Sequence, residues 1–398
     1  MEIVLIDRNN YFIFYPLLVE AGTGSLEPRH AVISIRKFLH RTIFRMAEVD
    51  GVDFEGRRVS YRVRGSRRTQ FVAYDHLVIA LGSVTRLPDV PGLRDFGFQM
   101  KSLTDAVGLR DRAIQLLEMA DVTTDPALRR ALLNFVVVGG NFTGVEVAGE
   151  FDLFFKQASR YYKNVQPSEC RVTLIEVAGR ILGALEEELS EYAVRRLRRR
   201  GIDVRLETSV AAIAEEHVTL STGETLPART VVWCAGIAPN PLIGQLPLPV
   251  DKRGYILCEK NLRVQGFEHV WAIGDGAVNE DPKGRAYPAT AQHAVGQARH
   301  AARNIAQVLK GGNATPCTLS SKGTLAALGC RTAVASVFGL KLSGFPAWFL
   351  WRAVYLFKMP GWARRLRVAL DWTVDLFFRR DYVQLGVHRL KDGDSERN

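Results

Sequence analysis

The stretch FVVVGGNFTGVE, residues 135–146, decides the fold. Its apolar run, Phe135 to Val138, passes straight into Gly139-Gly140-Asn141-Phe142-Thr143-Gly144 and then into helix-forming sequence. A short continuous apolar run reads as a strand buried on both faces, as in a parallel sheet. A glycine turn between such a strand and a helix has the shape of a dinucleotide-binding unit. The usual pattern is GxGxxG, and here it is GxNxxG. The first glycine makes the tight turn, and the third lets the helix pack on its strand. The second lets backbone approach a pyrophosphate resting on helix-terminal N–H groups. Asparagine is the non-glycine residue best suited to left-handed backbone. The turn is therefore expected to form with Asn141 left-handed and its Cβ crowding the phosphates.

The next strand, VTLIE, ends on Glu176, where a carboxylate can hold ribose hydroxyls. Glu176 lies 37 residues after Gly139, against about 20 in the general pattern, so the helix between them must be extended. An acid there repels a 2′-phosphate and favours NADH over NADPH. The competing reading is a purely structural glycine turn.

Working outward, the same strand-to-glycine turn recurs in YDHLVIALGS (74–83) and HVWAIGDGA (269–277). The fold class is α/β, with two Rossmann-like dinucleotide-binding domains. Near the start, Ile3 to Ile6 is a further buried-strand pattern closed by Asp7. An acid in that place ordinarily follows a glycine turn and helix about 20 residues earlier, whereas the sequence as given opens on the strand itself.

The bulk properties agree: 398 residues, 47% hydrophobic and 24% charged, suit two or three cores. Five scattered cysteines without a CxxC argue against a disulfide framework or zinc site and for a reducing compartment. The net charge of +11 suits an anionic partner. Seven cations against two acids between 351 and 380 place a net +5 of that charge at the tail, FPAWFLWRAVYLFKMPGWARRLRVALDWTVDLFF (345–378), which holds four of the six tryptophans. Pro360-Gly361 divides it into two helices. Trp348, Trp351, Tyr355 and Met359 give the first an apolar face. Aromatic faces flanked by Lys and Arg suit a helix lying in the headgroup region of an anionic membrane. The alternative is a helix pair that packs a core or a homodimer, with Arg stems over apolar surface. The arginines of RRLRRRG (195–201) read as a solvated face, so nucleic acid is not expected as a partner.

Taken together, the motifs resemble the type II NADH dehydrogenases, non-pumping NADH:quinone oxidoreductases of the two-dinucleotide-binding-domain flavoprotein superfamily. LIDRNNYFIFYPLL, AGTGSL, YDHLVIALGS, VVGGNFTGVEVAGE, VWCAGIAPNPLI, VWAIGDGA, YPATAQHAVGQARHAARNI and FPAWFLWRAVYL carry the resemblance. The resemblance implies FAD and NAD(H) as cofactors, a quinone as electron acceptor and a peripheral position on the cytoplasmic side of a membrane. It implies that Asp7 binds the ribose of FAD's adenosine half and that Gly82 lies near the flavin pyrophosphate. Gly274-Asp275 would face the ribityl chain, and Ala291-Gln292 would pack beside the flavin ring and quinone. Gly139, Gly140, Gly144, Glu176 and Gly236 would serve NAD(H), and Glu146 would stand near the nicotinamide. Glu146 and Gln292 are thus the catalytic candidates, and no metal is implied.

Each assignment has a plainer alternative: Asp275 as a helix cap, Gln292 capping or facing solvent, Glu146 paired to an arginine, His293 a packed helix histidine. The implied domains are 1–110 (FAD), 111–250 (NAD), 251–315 (FAD) and 316–398 (C-terminal). The family's first FAD strand–GxGxxG–helix unit does not occur in this sequence, and the expectation is a longer natural protein. Two other activities remain open. One is a flavin-deficient homologue serving as redox sensor or scaffold. The other is a sulfide:quinone oxidoreductase using Cys234 and Cys330.

Overall fold

The computed structural model describes residues 2–386, so the end of the expected C-terminal domain, 387–398, lies outside the described residues. In chain order, the strands that matter below are β1 (Val4–Asp7), β2 (Ile43–Met46), β3 (Leu77–Ile79), β4 (Gly97–Phe98) and β5 (Asn134–Val138). They continue with β6 (Arg171–Ile175), β7 (Asp203–Arg205), β8 (Thr230–Trp233), β9 (Val270–Ala272), β10 (Thr324–Gly329), β11 (Thr332–Val337) and β12 (Leu340–Gly344). The helices are α1 (Leu18–Thr23), α2 (Leu103–Val122), α3 (Phe142–Ala158), α4 (Glu187–Arg199), α5 (Ala291–Val308), α6 (Phe345–Lys358) and α7 (Trp362–Phe377).

The chain forms two compact units, each assembled from separated segments. The first comprises Met1–Asn10, Ile35–Arg86 and Ile237–Lys322. Its parallel pairs are β1 with β2 and β3 with β9, joined by an antiparallel meander over residues 48–73. Val270, Ala272, Ile79 and Ile256 form its small apolar core, and α5 packs on the turn after β9.

The second unit comprises Tyr11–Ser34, Leu87–Gly236 and Gly323–Asn398. Its centre is a five-stranded parallel sheet in the order β4-β8-β5-β6-β7. All five residues of β5 are buried, as the uninterrupted FVVV run requires of a central strand. Phe135 of β5 stacks on Phe151 of α3 with ring centroids 4.6 Å apart, and Phe154 and Phe155 close the layer. On its other side α3 meets β10. A Cβ on Gly149 would stand 2.2 Å from the Leu328 carbonyl oxygen, so only glycine permits this approach. Arg200 fastens the contact by donating to the Leu328 and Gly149 carbonyls and to Asp152, whose side chain is 4% exposed.

Two expectations change here. The stretch around FYPLLVEAGTGSL reads as loop-rich, yet it holds α1, ended by Gly24 in left-handed geometry (φ +77°). Tertiary packing of α1 against α2 and α3 overrides its short length and its glycine. In the tail, the expected helix pair forms, but Trp348, Trp351 and Met359 face inward. They join Trp372 and Val368 in a second core with Leu17, Ala21 and Leu26. The apolar periodicity of α6 therefore belongs to the protein interior. A different stripe is exposed: Trp362, Leu366, Leu370, Val374 and Phe377 of α7, with Phe345, Phe349 and Phe357 of α6.

Candidate functional site

In the second unit the glycine turn lies at the carboxyl end of β5, in the middle of the sheet, where open α/β folds take their ligands. Gly139 adopts φ +110°, and a Cβ there would stand 2.9 Å from backbone of Ala235. A Cβ on Gly144 would fall 1.8 Å from the Gly139 carbonyl oxygen. Both glycines are sterically obligatory. Asn141 departs from expectation: it is extended (φ −77°, ψ −177°) rather than left-handed. Its side chain explains the choice, because Oδ1 accepts from the Gly144 N–H at 3.1 Å and Nδ2 donates to the Cys234 carbonyl at 2.6 Å. Asn141 thus caps α3 and ties the phosphate turn to the WCAG turn, where Gly236 sits at φ +85°. Its side-chain amide points into the protein's own backbone.

Glu176 arrives at the same turn despite its long spacing. Its carboxylate accepts from the Gly140 and Ala178 N–H groups. Two residues along α3 from Gly144, the Glu146 carboxyl accepts from the Ala327 N–H at 3.2 Å. Burial pushes it up to about 8, with the nearby Glu20 and Glu150 adding to the rise. Glu150, at i+4, pairs with Arg380 at 3.3 Å. Glu146 is itself not paired with an arginine in the described residues.

The raised carboxyls set a pH dependence. Glu20 is likewise raised to about 7, first by burial. Both hold protons in the folded chain that the unfolded chain releases near the ordinary carboxyl value of 4.5. The folded state binds more protons across that window, so stability must fall with rising pH. Chemical denaturation is expected to give a declining unfolding free energy from about pH 5 to about pH 8, with the slope reduced in Glu20→Gln.

The first unit holds the second group of candidates. Asp7 ends β1, its carboxylate taking the Asn9 N–H at 2.8 Å, and burial raises it. Gly82 (φ +66°) has no atom within 4 Å of where a Cβ would project, so its turn presents bare backbone to open space. The neighbouring Ser83 hydroxyl donates to Asp275 at 3.1 Å. Asp275 lies in a short 3-10 turn, Gly274–Gly276, instead of capping a helix. Gly276 packs on Gly82, where a Cβ would stand 3.1 Å from the Gly82 oxygen. Gly274 and Asp275 line a cavity of about 240 Å³ with Tyr287, His293 and Gln297. Bare backbone at a left-handed glycine, a carboxylate and an adjoining cavity are what a phosphorylated, polyhydroxylated cofactor needs, so the residues fit part of an FAD.

Ala291 is exposed at the start of α5, and Gln292 bonds to Ser321 and to the Lys322 N–H. The residues that turn inward are one and five positions further on. His293, 7% exposed, stacks on Tyr287 at 5.3 Å, its Nδ1 bonded to the Thr290 hydroxyl at 2.7 Å, and burial lowers it. Gln297 accepts from the Gly274 N–H at 2.7 Å. Their i, i+4 spacing in TAQHAVGQ was the signal for a shared inward face. All five cysteines are free; the buried Cys234 thiol is pushed up to about 12, while Cys330 is exposed. A thiol so raised is a poor nucleophile, and nothing in the geometry favours sulfur chemistry.

Residues 1–298 match the pyridine nucleotide-disulphide oxidoreductase family, and residues 321–381 match the NDH2 C-terminal domain. The chain is 35% identical to the demethylphylloquinone reductase NdbB of Synechocystis over 376 residues, covering 93% of this chain and 88% of that protein. It is 30% identical to the type II NADH:quinone oxidoreductase NdhA of Mycobacterium tuberculosis, covering 95% and 83%. Its fold is similar to that of NDH2 from Plasmodium falciparum in complex with NADH, at TM-score 0.89 and 20% identity, covering 96% and 94%.

Proposed function

The chain belongs to the pyridine nucleotide-disulphide oxidoreductases, in their type II NADH:quinone oxidoreductase branch, and on that premise we propose how its residues divide the work. It is an FAD-dependent enzyme that takes hydride from NADH and passes electrons to a quinone. FAD, when bound, supplies the hydride and electron chemistry; the protein binds, orients and shields.

The NADH pyrophosphate rests on the turn Gly139-Gly140 and the N-terminus of α3, with Gly144 allowing the close packing and Gly236 shaping the opposite turn. Glu176 takes the ribose hydroxyls through the lone pairs its two backbone donors leave, and rejects a 2′-phosphate. Glu146 stands next to the nicotinamide as a neutral carboxylic acid. FAD is held by Asp7 at the adenosine ribose, by the bare backbone of Gly82 at the pyrophosphate and by Gly274-Asp275 at the ribityl chain. Ala291 and Gln292 open α5 beside the ring. The domains run 1–110 and 251–315 for FAD, 111–250 for NAD(H), and from 316 for the C-terminal region. The single observation that carries the reading is the obligatory glycine turn with Glu176 folded onto it. In the test, purified protein oxidises NADH with a soluble quinone, while Asp275→Ala protein folds but retains little flavin absorbance. A flavin content unchanged in that variant would overturn the assignment of Asp275.

Among the described residues no helix is long and apolar enough to cross a membrane. The exposed stripe of α7 offers another attachment: Trp362 is 77% exposed and Phe377 79%, beside Arg364, Arg365 and Arg367. Each large apolar side chain taken fully from water contributes about 1.5–3 kcal/mol, against about 1 kcal/mol per cation near an anionic surface. The apolar stripe therefore sets affinity and the arginines set lipid preference, on the cytoplasmic face. Replacing Trp362 and Leu366 with serine is expected to abolish flotation with anionic vesicles and leave NADH oxidation by soluble quinone intact. Mass measurement of the bound particle reads whether one chain or a homodimer attaches.

A further inference from the structure

A buried polar cluster in the second unit brings together side chains far apart in sequence. Glu20 of α1, 8% exposed, accepts from the Trp372 indole N–H of α7 at 2.7 Å, and its other oxygen lies 3.9 Å from the Arg352 guanidinium of α6. α1 packs along α3, which carries Glu146 and Glu150. Arg380 binds Glu150 at 3.3 Å and Asp375 at 2.8 Å. Arg352 is itself clamped between the rings of Trp348 and Trp372, 4.2 and 4.6 Å from their centroids.

Charge counting decides how this cluster behaves. Glu20, Glu146, Glu150 and Asp375 face only two guanidinium groups, Arg352 and Arg380. Glu150 and Asp375 share the close contacts with Arg380. Glu20 has only the longer approach of Arg352, and Glu146 has a single backbone donor. Four carboxylates, one buried and three largely shielded from water, cannot all ionise against two cations, because an unpaired charge there costs more than a retained proton. The protons stay on the two carboxyls without a close cation, and they titrate as a coupled set. The remaining neighbours do not change the balance: Arg110 of α2 lies near Gly24, His30 is bonded to Asp371, and Tyr355 lies near Glu146. The remaining polar group beside Glu146 is the Trp351 indole N–H. It is buried and directed at Glu146, whose ionised form it favours.

We propose that Glu20 is the proton-exchanging partner of Glu146, a carboxyl pair that takes up from solvent the one proton the overall reaction consumes and holds it for quinone reduction. The inference rests on the NADH:quinone reading. NADH, one proton and a quinone give NAD⁺ and a quinol, so each turnover draws one proton into the protein. Glu20 releases a proton to Glu146 as Glu146 gives its own up, and Glu20 is reprotonated from water. Trp372 and Arg352, both from the C-terminal helices, act as positioning residues. They hold Glu20 in place and limit how far its acidity is suppressed.

Glu20→Gln keeps the acceptor for Trp372 and the neutral state but cannot exchange a proton. The expected result is a kcat for quinone reduction lowered on the order of 10²-fold at neutral pH, as for loss of a general acid–base group. The KM for NADH should be unchanged and the alkaline limb of the pH profile lost. Trp372→Phe removes a donor to the ionised form, so the same limb should move to higher pH with activity retained. Infrared spectroscopy of the wild-type protein at neutral pH should show protonated-carboxyl absorption, part of which is lost in Glu20→Gln while the share of Glu146 remains. An unaltered pH profile in both variants, or an unaltered infrared band, would overturn the proposal. Failure of the wild-type protein to oxidise NADH at all would instead sink the underlying reading and leave the infrared result standing.

Discussion

Gly144→Ala weakens NADH binding at least about tenfold and lowers the melting temperature sharply: this is the largest single-residue effect expected on the nucleotide site. The new Cβ would lie 1.8 Å from the Gly139 carbonyl oxygen and 3.0 Å from its carbon. Both are backbone atoms of the turn itself, so no side chain can swing away. Moving the turn would break the Asn141 cap on the Gly144 N–H and the link from Asn141 to Cys234. The expected loss is roughly 3 kcal/mol or more of stability, with the KM for NADH raised at least about tenfold. Gly183→Ala is the control, since nothing lies within 4 Å of its Cβ position; it should stay within about 0.5 kcal/mol of wild type. Equal behaviour of the two variants in thermal melts and NADH titrations would refute the argument.

Asp152→Ala is the second. Asp152 is 4% exposed and binds Lys156 at 2.6 Å and Arg200 at 2.7 Å. Arg200 also reaches the Leu328 and Gly149 carbonyls, so removal of the carboxylate strands a cation in the seam between α3 and β10. Breaking one side of a buried pair costs about 3–5 kcal/mol. Most of that is the penalty of the group left behind. The exposed Arg195–Glu191 pair, 59% exposed on both sides, gives the contrast: Glu191→Ala should cost less than about 0.5 kcal/mol. Denaturant titration of both variants separates buried from surface electrostatics within one protein.

The parts of the molecule legible in the sequence are those whose cause is local. FVVVGG specifies a buried strand and a turn because periodicity and glycine sterics act within a dozen residues. Glu176 was legible as a strand-end acid even at unusual spacing, because β6 must lie beside β5 whatever the length between them. The conformation of Asn141 was not legible, because its amide is held by the Cys234 carbonyl, 93 residues away. The apolar spacing in α6 correctly signalled one face but carried no information on whether protein or lipid covers it. Glu20 was invisible for a stronger reason. Its meaning depends on Trp372, 352 positions later, and on a charge count over four helices and the strap beyond α7. No window of sequence contains that count.

The close approach of Gly149 to Leu328 also has a consequence for how the protein is made. The second unit is composed of three stretches, the last beginning at Gly323. On the ribosome, α3 is therefore complete long before the strand that covers it has been synthesised. Until residues 324–329 emerge, Gly149 and Asp152 face an open flank, and Leu328 is not there to be bonded by Arg200. The nucleotide-binding sheet must wait, half-clothed, until the chain has been extended to Gly329. A nascent chain stalled before Gly323 should be captured by chaperones and cut readily by protease within α3, and one released past Gly344 should resist both. Translation speed over the last quarter of the message then becomes a determinant of yield, as expected where long-range contacts close last.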